Sequence, residues 1–363
     1  MDAAGEGYTC VDDVSRAALA YLRSGKIAAD TAMRSKLYNL LAFVVQMQSA
    51  NGYFYNFLTT AGTINMFGPT SINNPDWWSW RALQTLTEAG PVIKTLNPTL
   101  FAQTDAAVQK LIARLKTDLL PLPETTTVVD GIVVPTWLPA GSGADQSSVL
   151  LQGLINYCKA NSDTAIVRLV RKLADGIVSM QQGSATGFPY DAFLSWSNTW
   201  HAYGNVQAYA LMQAGAFLQD SIYTDRAMAE VDNFYPWLLQ NGLLVGFTVA
   251  NSGGLYDQGS TSYDQIAYGI EPMVFAAAGA YAATGQAKYA DIAGHLAAWL
   301  LGANTGGVVM YNVTTGVCYD GLSAGANANL NSGGESTVEA LLTMEEVEAY
   351  PAIRTALKKY KKP

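Results

Sequence analysis

Charge is scarce in this chain. Of 363 residues only 14% are charged, and the formal balance is -8. Nucleic-acid binding needs basic patches that neutralise phosphates. The single dense basic run here is the C-terminal RTALKKYKKP, which reads as a solvated helix end because cations suit a helix C-terminus. Cysteine is scarcer still. Cys10, Cys158 and Cys318 are odd in number and widely spaced, so they do not read as a disulfide framework, and no C-x-x-C pair offers a zinc site. Two histidines, His201 and His295, cannot build a His-rich metal centre, and no EF-hand spacing occurs. Neither metal nor cofactor is expected. No apolar run is long enough to span a bilayer, so no membrane partner is expected either. The opening MDAAGEGYTC lacks the basic start and apolar stretch of a signal peptide. The expectation is a secreted or periplasmic monomer whose signal has been removed, with a cytoplasmic location still open.

What the chain has in plenty is apolar surface: half of its residues are hydrophobic, enough for a large core. Helical apolar patterns recur along it. One set reads VDDVSRAALAYL, PDWWSWRALQTL, ADQSSVLLQGLINY, SNTWHAYGNVQAYALM, YDQIAYGIEPMVFAAAGAYAA and GGESTVEALLTM. These segments start roughly 55–70 residues apart, a spacing that suits one helical hairpin plus loops. They are apolar nearly all round, as helices buried on several sides must be. A more amphipathic set lies between them, from TAMRSKLYNLLAFVVQMQ to YPAIRTALKKY. Three of its members lead into a Gln, Gly, aromatic phrase: MQSANGYFYNF, MQQGSATGFPY and LLQNGLLVGF. Gly there suggests a shared turn that closes the helix.

Six inner helices alternating with six outer ones predict an all-α fold, an (α/α)6 toroid. TTTVVDGIVVPTW and GGVVMYNVTTGVCYDG read as short β-hairpin excursions in loops. No Pro-rich, Ser-rich or charged linker divides the chain, so residues 1–363 are expected to form one domain. An open α-solenoid is the alternative, but it does not require such apolar inner helices.

In such a toroid the inner helices run parallel, and their N-termini share one face, each with free N–H groups and partial positive charge. The residues expected there are Asp12 and Asp13, Asp76 with Trp77, Trp78 and Trp80, Asp145 with Gln146, Trp200 with His201, Tyr263 with Asp264, and Glu335. Five of the six starts carry an acid, which invites two explanations. Asp and Ser are favoured caps, and Ser332-Gly-Gly-Glu335 fits a capping box, as does Ser336-Thr-Val-Glu339 one turn on. Both cannot be the cap. Asp12 and Asp13 are adjacent where a cap needs only one. Trp77, Trp78 and Trp80 lie within a single turn and cannot all face one core. Flat aromatic faces among carboxylates suit sugar rings, although wedging between helices explains a tryptophan equally well. His201 either bonds a ligand or sits satisfied in the core, and His295 on an outer helix reads as structural.

With these residues in place, the sequence resembles the six-hairpin glycosidases along its whole length. Locally, WLLGANTGGVVMYNVTTGVCYDG resembles the C-terminal region of family nine glycoside hydrolases, the inverting cellulases. There a helix ends in Leu-Gly-x-Asn and leads into a substrate loop, matched here by Leu301, Gly302, Ala303 and Asn304. DDVSRA with NSGGESTVEAL also resembles poorly characterised bacterial toroid domains. The cellulase resemblance implies a base at Asp12 or Asp13 and an acid at Glu335. The chain departs from that family in having Asp-Asp where it has Asp-x-x-Asp, and in lacking its histidine-bearing segment.

The expectation is therefore a glycoside hydrolase acting on an oligo- or polysaccharide, which needs one protonated and one ionised carboxyl group. Trp77, Trp78, Trp200, His201, Asp76, Asp145, Tyr263 and Asp264 would hold the carbohydrate. A polysaccharide lyase on the same fold would use His201 and nearby tyrosines instead, but only Arg16 and Arg81 lie near the inner starts to meet an anionic substrate. A sugar epimerase is expected to need more histidines than two. A non-catalytic glycan-binding toroid would keep the tryptophans without needing the carboxylates. A terpene cyclase shares α-toroids, but VDDVS lacks its Asp-rich pattern.

Overall fold

The computed structural model describes residues 6–362. Residues 1–5, part of the stretch inspected for a signal, and residue 363 lie outside them. The chain falls into two compact units. One reaches to Pro123 and includes Val149–Lys172; the other comprises Glu124–Ser148 and everything from Leu173 onward.

The first unit contains α1 (Val11–Arg23), α2 (Thr31–Gln46), α3 (Trp77–Leu96), α4 (Pro98–Asp118) and the larger parts of α5 (Ala144–Ala160) and α6 (Thr164–Ser179). Helix starts follow capping chemistry. Asp30 accepts the N–H groups of Ala32 and Met33 at 2.8 and 3.0 Å, and Asp76 accepts that of Trp77 at 2.8 Å. Asn97 ends α3 and caps α4, whose first residue is Pro98, a favoured opening position. Helix α1 packs on α2 and α3, and α4 packs on α3 and α2. Arg23 on α1 grips Glu88 on α3 with two bonds of 2.8 and 2.9 Å.

The second unit holds the first turn of α5, the end of α6, α7 (Gln207–Leu218), α8 (Ser221–Ala229), α9 (Tyr235–Gln240), α10 (Glu271–Thr284), α11 (Ala287–Ala297), α12 (Gly334–Ala349) and α13 (Pro351–Tyr360). A π-helical turn, Glu230–Phe234, runs α8 into α9 as one rod. Helix α10 packs on α7, α11 and α12, and residues Pro272–Ala278 along it are all buried. Two glycines let helices approach closely: a Cβ on Gly294 of α11 would lie 2.5 Å from Ala356 of α13, and one on Gly215 of α7 would lie 2.3 Å from Thr224 of α8. The expected alternation of inner and outer helices is therefore present in order, from α1 and α2 to α12 and α13.

The Gln-Gly-aromatic phrase acquires a physical role. Gln48, after α2, donates to the carbonyls of Gly52 and of Ala107 on α4, at 2.9 and 2.8 Å. Gln181, after α6, does the same to Asp191 and to Arg226 on α8, at 2.8 Å each. In each case one carboxamide ties its own turn to the outer helix of the following hairpin.

The loops carry small antiparallel sheets. Thr126–Val129 pairs with Ile132–Pro135, and Gln181–Ser184 with Gly187–Phe193. A three-stranded sheet joins Thr199–His201, Gly246–Asn251 and Leu255–Thr261. The second expected excursion is reduced to single bridges, Leu301 with Val309 and Tyr311 with Cys318.

That three-stranded sheet corrects two helix starts. Trp200 and His201 lie on its first strand, and α7 begins only at Gln207. Gly204, at φ 64°, ends any helix that starts earlier. Tyr263 and Asp264 lie in the loop after its third strand, and α10 begins at Glu271 beside Pro272, the residue suited to a first turn.

Candidate functional site

In the first unit the Asp12–Asp13 couplet sits in the opening turn of α1. Asn56 fixes that turn: its carbonyl accepts the N–H of Val11 at 2.8 Å and its side chain that of Asp12 at 3.2 Å. Arg16, one helical turn on, donates to Asp12 and also reaches Asp13 at 3.1 Å. Arg81 on α3 stands 3.3 Å from the other oxygen of Asp12. Both guanidinium groups are buried, so each needs its carboxylate partner. The two aspartates part company here. Burial opposes ionisation of Asp12, but Arg16 and then Arg81 outweigh it and hold its carboxyl below the usual range. Burial pushes the Asp13 carboxyl up, Arg16 opposes the shift, and the negative charge of Asp12 adds to it. Asp12 is a fixed anion; Asp13, with its side chain 38% exposed, is the member able to exchange a proton.

Asp76 caps α3, as cap chemistry alone predicts. Trp77 is half-buried at the helix start. Trp78 is a correction: it is 5% exposed, and its indole N–H donates to the Phe54 carbonyl at 2.7 Å, so its face cannot serve as a sugar platform. Trp80 is fully buried, edge-on to Tyr53.

In the second unit Asp145 and His201 meet. His201 Nε2 lies 3.0 Å from Asp145 Oδ2, while Asp145 Oδ1 accepts the Gln146 N–H at 2.6 Å. Ser195 organises both. Its carbonyl accepts the N–H groups of Ala144 and Asp145, and its hydroxyl accepts the His201 N–H at 2.9 Å. Alternation along the strand explains why the neighbouring residues differ. Trp200 points inward, fully buried, stacked on Phe247 at 5.1 Å and edge-on to Phe234 at 5.0 Å. It is core, not a ligand platform. His201 points outward and is half-buried.

Tyr203 follows two residues later, its ring 6.4 Å from that of His201, and its hydroxyl donates to the Asp264 carbonyl. Burial raises its pKa, and the charges of Asp264 and Glu335 add to the shift. The side chain of Asp264 is exposed, and Tyr263 donates to Thr305 at 3.2 Å.

Glu335 is the second residue of α12, and neither capping box forms. The helix is capped at Gly333 with no cap from its own side chains. Asp320, arriving from the preceding loop, accepts the Gly333 N–H at 2.6 Å and the Ser336 hydroxyl at 2.9 Å. Asn304, matched above to a substrate-loop residue, is engaged in its own turn: it donates to the Trp299 and Val308 carbonyls and accepts the Val308 N–H. His295 stacks on Tyr360 at 3.9 Å, a structural role as expected.

Three residues escaped sequence reasoning. Tyr203 stands beside His201, and Asp320 carries the cap. Trp196 is 51% exposed, with its indole N–H tied to the Ala140 carbonyl at 3.0 Å, which leaves an aromatic face in solvent next to Ser195. The signal for Trp196 is its spacing of four from Trp200 in SWSNTW, where one indole must fill the core and the other need not.

No protein-family model matches the chain, and no curated protein matches it. Solved structures do. A cellobiose 2-epimerase from Spirochaeta thermophila DSM 6192 superposes with a TM-score of 0.66 at 11% identity, over 96% of this chain and 87% of that one. A thermostable endoglucanase from Alicyclobacillus acidocaldarius gives 0.54 at 14% identity, over 94% and 73%. A GH127 β-arabinofuranosidase gives 0.55 at 13% identity, over 92% of this chain but only 51% of that one. The chain thus spans about half the length of that enzyme. These likenesses define the class by fold: an all-α (α/α)6 toroid, the fold expected from the helical repeat. Among the described residues no helix is long and apolar enough to cross a membrane.

Proposed function

We propose that this protein is a glycoside hydrolase acting on an oligo- or polysaccharide, with Glu335 as the general acid and Asp13 as the general base. The observation that carries the reading is the split within the Asp12–Asp13 couplet. At the other end of the chain Asp320 accepts the Gly333 N–H and the Ser336 hydroxyl, so the cap of α12 does not require either capping box. The base is assigned within its own unit: Asp12 is held ionised by two arginines, whereas Asp13 is pushed toward the range of a proton carrier. Trp77 and Trp196 supply the aromatic faces that Trp78 and Trp200 cannot. The solved structures of this fold include hydrolases named for glycosides, which supports the substrate class.

The test uses chromogenic and natural glycosides, read together with melting temperature. Glu335→Gln is expected to lose about 10²–10⁴-fold in rate at nearly unchanged melting, with partial recovery on substrates carrying very good leaving groups. Asp13→Asn is expected to be as impaired without that recovery, because a base acts on water. Full activity in folded Glu335→Gln protein ends the assignment of the acid.

A second reading has its own observation, the 3.0 Å contact of His201 with Asp145. His201 Nε2 faces the Asp145 carboxylate, and its Nδ1 is buried without a hydrogen-bond partner. With Tyr203 nearby, this arrangement suits proton abstraction next to a carbonyl, as in a lyase or an epimerase. Two solved structures of this fold are named as cellobiose 2-epimerases. Deuterium uptake from heavy water into the sugar, abolished by His201→Asn and spared by Glu335→Gln, would select this reading over hydrolysis.

A further inference from the structure

Helix α3 carries two residues that a helix interior disfavours, side by side: Gly90 and Pro91. Packing does not demand the glycine. A Cβ at position 90 would meet only the Phe101 ring, at 3.9 Å. Both residues instead border a cavity of about 440 Å³ inside the first unit, walled by the C-terminal halves of α3 and α5 and the N-terminal half of α4. That volume lies within the ~300–1,000 Å³ typical of small-molecule sites. Gly90 follows Trp80 by ten residues, about 15 Å along the helix axis, so the cavity is well removed from the Asp12–Arg81 cluster.

The lining has a defined chemistry. Pro91 has no N–H to give to the carbonyl of Thr87 four residues back, and both residues lie in the wall. Phe101 presents a half-exposed ring, with the Lys94 ammonium 5.6 Å from its centroid. Asp105, which accepts from Gln109 at 3.3 Å, and Asn156 add a carboxylate and an amide to the lining. One cation and one anion leave the cavity without net charge, which disfavours an anionic or cationic occupant. An aromatic face accompanied by polar donors and acceptors in the lining matches a ring that shows C–H groups on one side and hydroxyls at its edge.

We propose that this cavity is a second binding site, for a neutral mono- or disaccharide. It stands whichever reaction the chain performs, because none of its residues belongs to the candidate catalytic groups. Gly90 is the gate: any side chain there occupies the space a sugar would fill.

The experiment titrates protein carrying both Glu335→Gln and His201→Asn, which stops either proposed reaction, with glucose, mannose, arabinose and cellobiose. Binding is followed by calorimetry and by the NMR signals of the Phe101 ring. Expected is millimolar binding by at least one of them, with Phe101 shifts. In a Gly90→Met background the affinity should fall at least about tenfold while melting stays at or above that of the parent, since a glycine has left a helix interior. Asp105→Asn, which changes no volume, should weaken binding several-fold. Unshifted Phe101 signals with all four sugars, or affinity unchanged by Gly90→Met, overturns the site. Phe101 shifts produced by free amino acids but by none of the sugars overturns the ligand class. Failure of every glycoside to turn over leaves these readouts untouched, so the two proposals fail separately.

Discussion

Asp12 and Glu230 are both carboxyl groups lodged among packed helices, one in each unit, and their surroundings hold them in opposite states. Asp12 faces two buried guanidinium groups and stays ionised well into acid. Glu230, fully buried in the π-helical turn after α8, has the Phe193 N–H at 2.8 Å and the Tyr235 hydroxyl at 3.4 Å, but among the described residues no cation pairs with it. Burial pushes its pKa up to about 8, against those two hydrogen bonds, and the nearby Asp191 charge adds to the rise. Depth alone therefore does not decide the charge of a carboxyl group. What decides it is whether a cation was buried alongside.

The comparison can be broken from either side. The largest effect is expected from Arg16→Leu, which removes the guanidinium shared by Asp12 and Asp13. Breaking a buried pair typically costs about 3–5 kcal/mol, to be measured by urea unfolding at neutral pH. A loss below 1 kcal/mol would show that Arg81 alone satisfies Asp12.

Next is Glu230→Gln. The folded pKa lies above the unfolded value of 4.5, so the folded state keeps the proton longer. Stability from this group is intact below about pH 4.5 and is lost as pH rises toward 8. The Gln variant should remove that slope and melt higher than the parent at pH 9. An unchanged slope between pH 5 and 8 would mean that water or another donor already serves the carboxylate.

The smallest effect should come from Tyr235→Phe, which deletes a long hydrogen bond for about 0.5–1.5 kcal/mol. Because that bond favours the ionised form, its loss should move the pH-dependent window upward, a direction that a merely structural tyrosine would not produce.

Much of the fold was legible because periodicity and caps are local. Asp76 and Asp145 mark true helix starts, and the glutamines of the recurring phrase mark true turns. The Asp12–Arg16 pair is readable too, from its spacing of four. Partners brought by other segments were not readable. Arg81 reaches Asp12 from α3, and Asp320 displaces both local capping boxes from 13 residues upstream. The helix reading of TWH failed because three residues are too few to show a period of two. Their strand character depends on Gly246–Asn251, some 45 positions later.

The clamps made by Gln48 and Gln181 have a consequence for how such a chain tolerates change. Each glutamine takes hold of main-chain oxygens, on Ala107 and on Arg226. A carbonyl is present whatever residue occupies the receiving position, so the clamp places no demand on the identity of the helix it grips. Mutations can accumulate along α4 and α8 while the hairpins keep their relative register. That is one physical route by which two proteins come to share an architecture over nearly their whole length while agreeing at only about one position in nine.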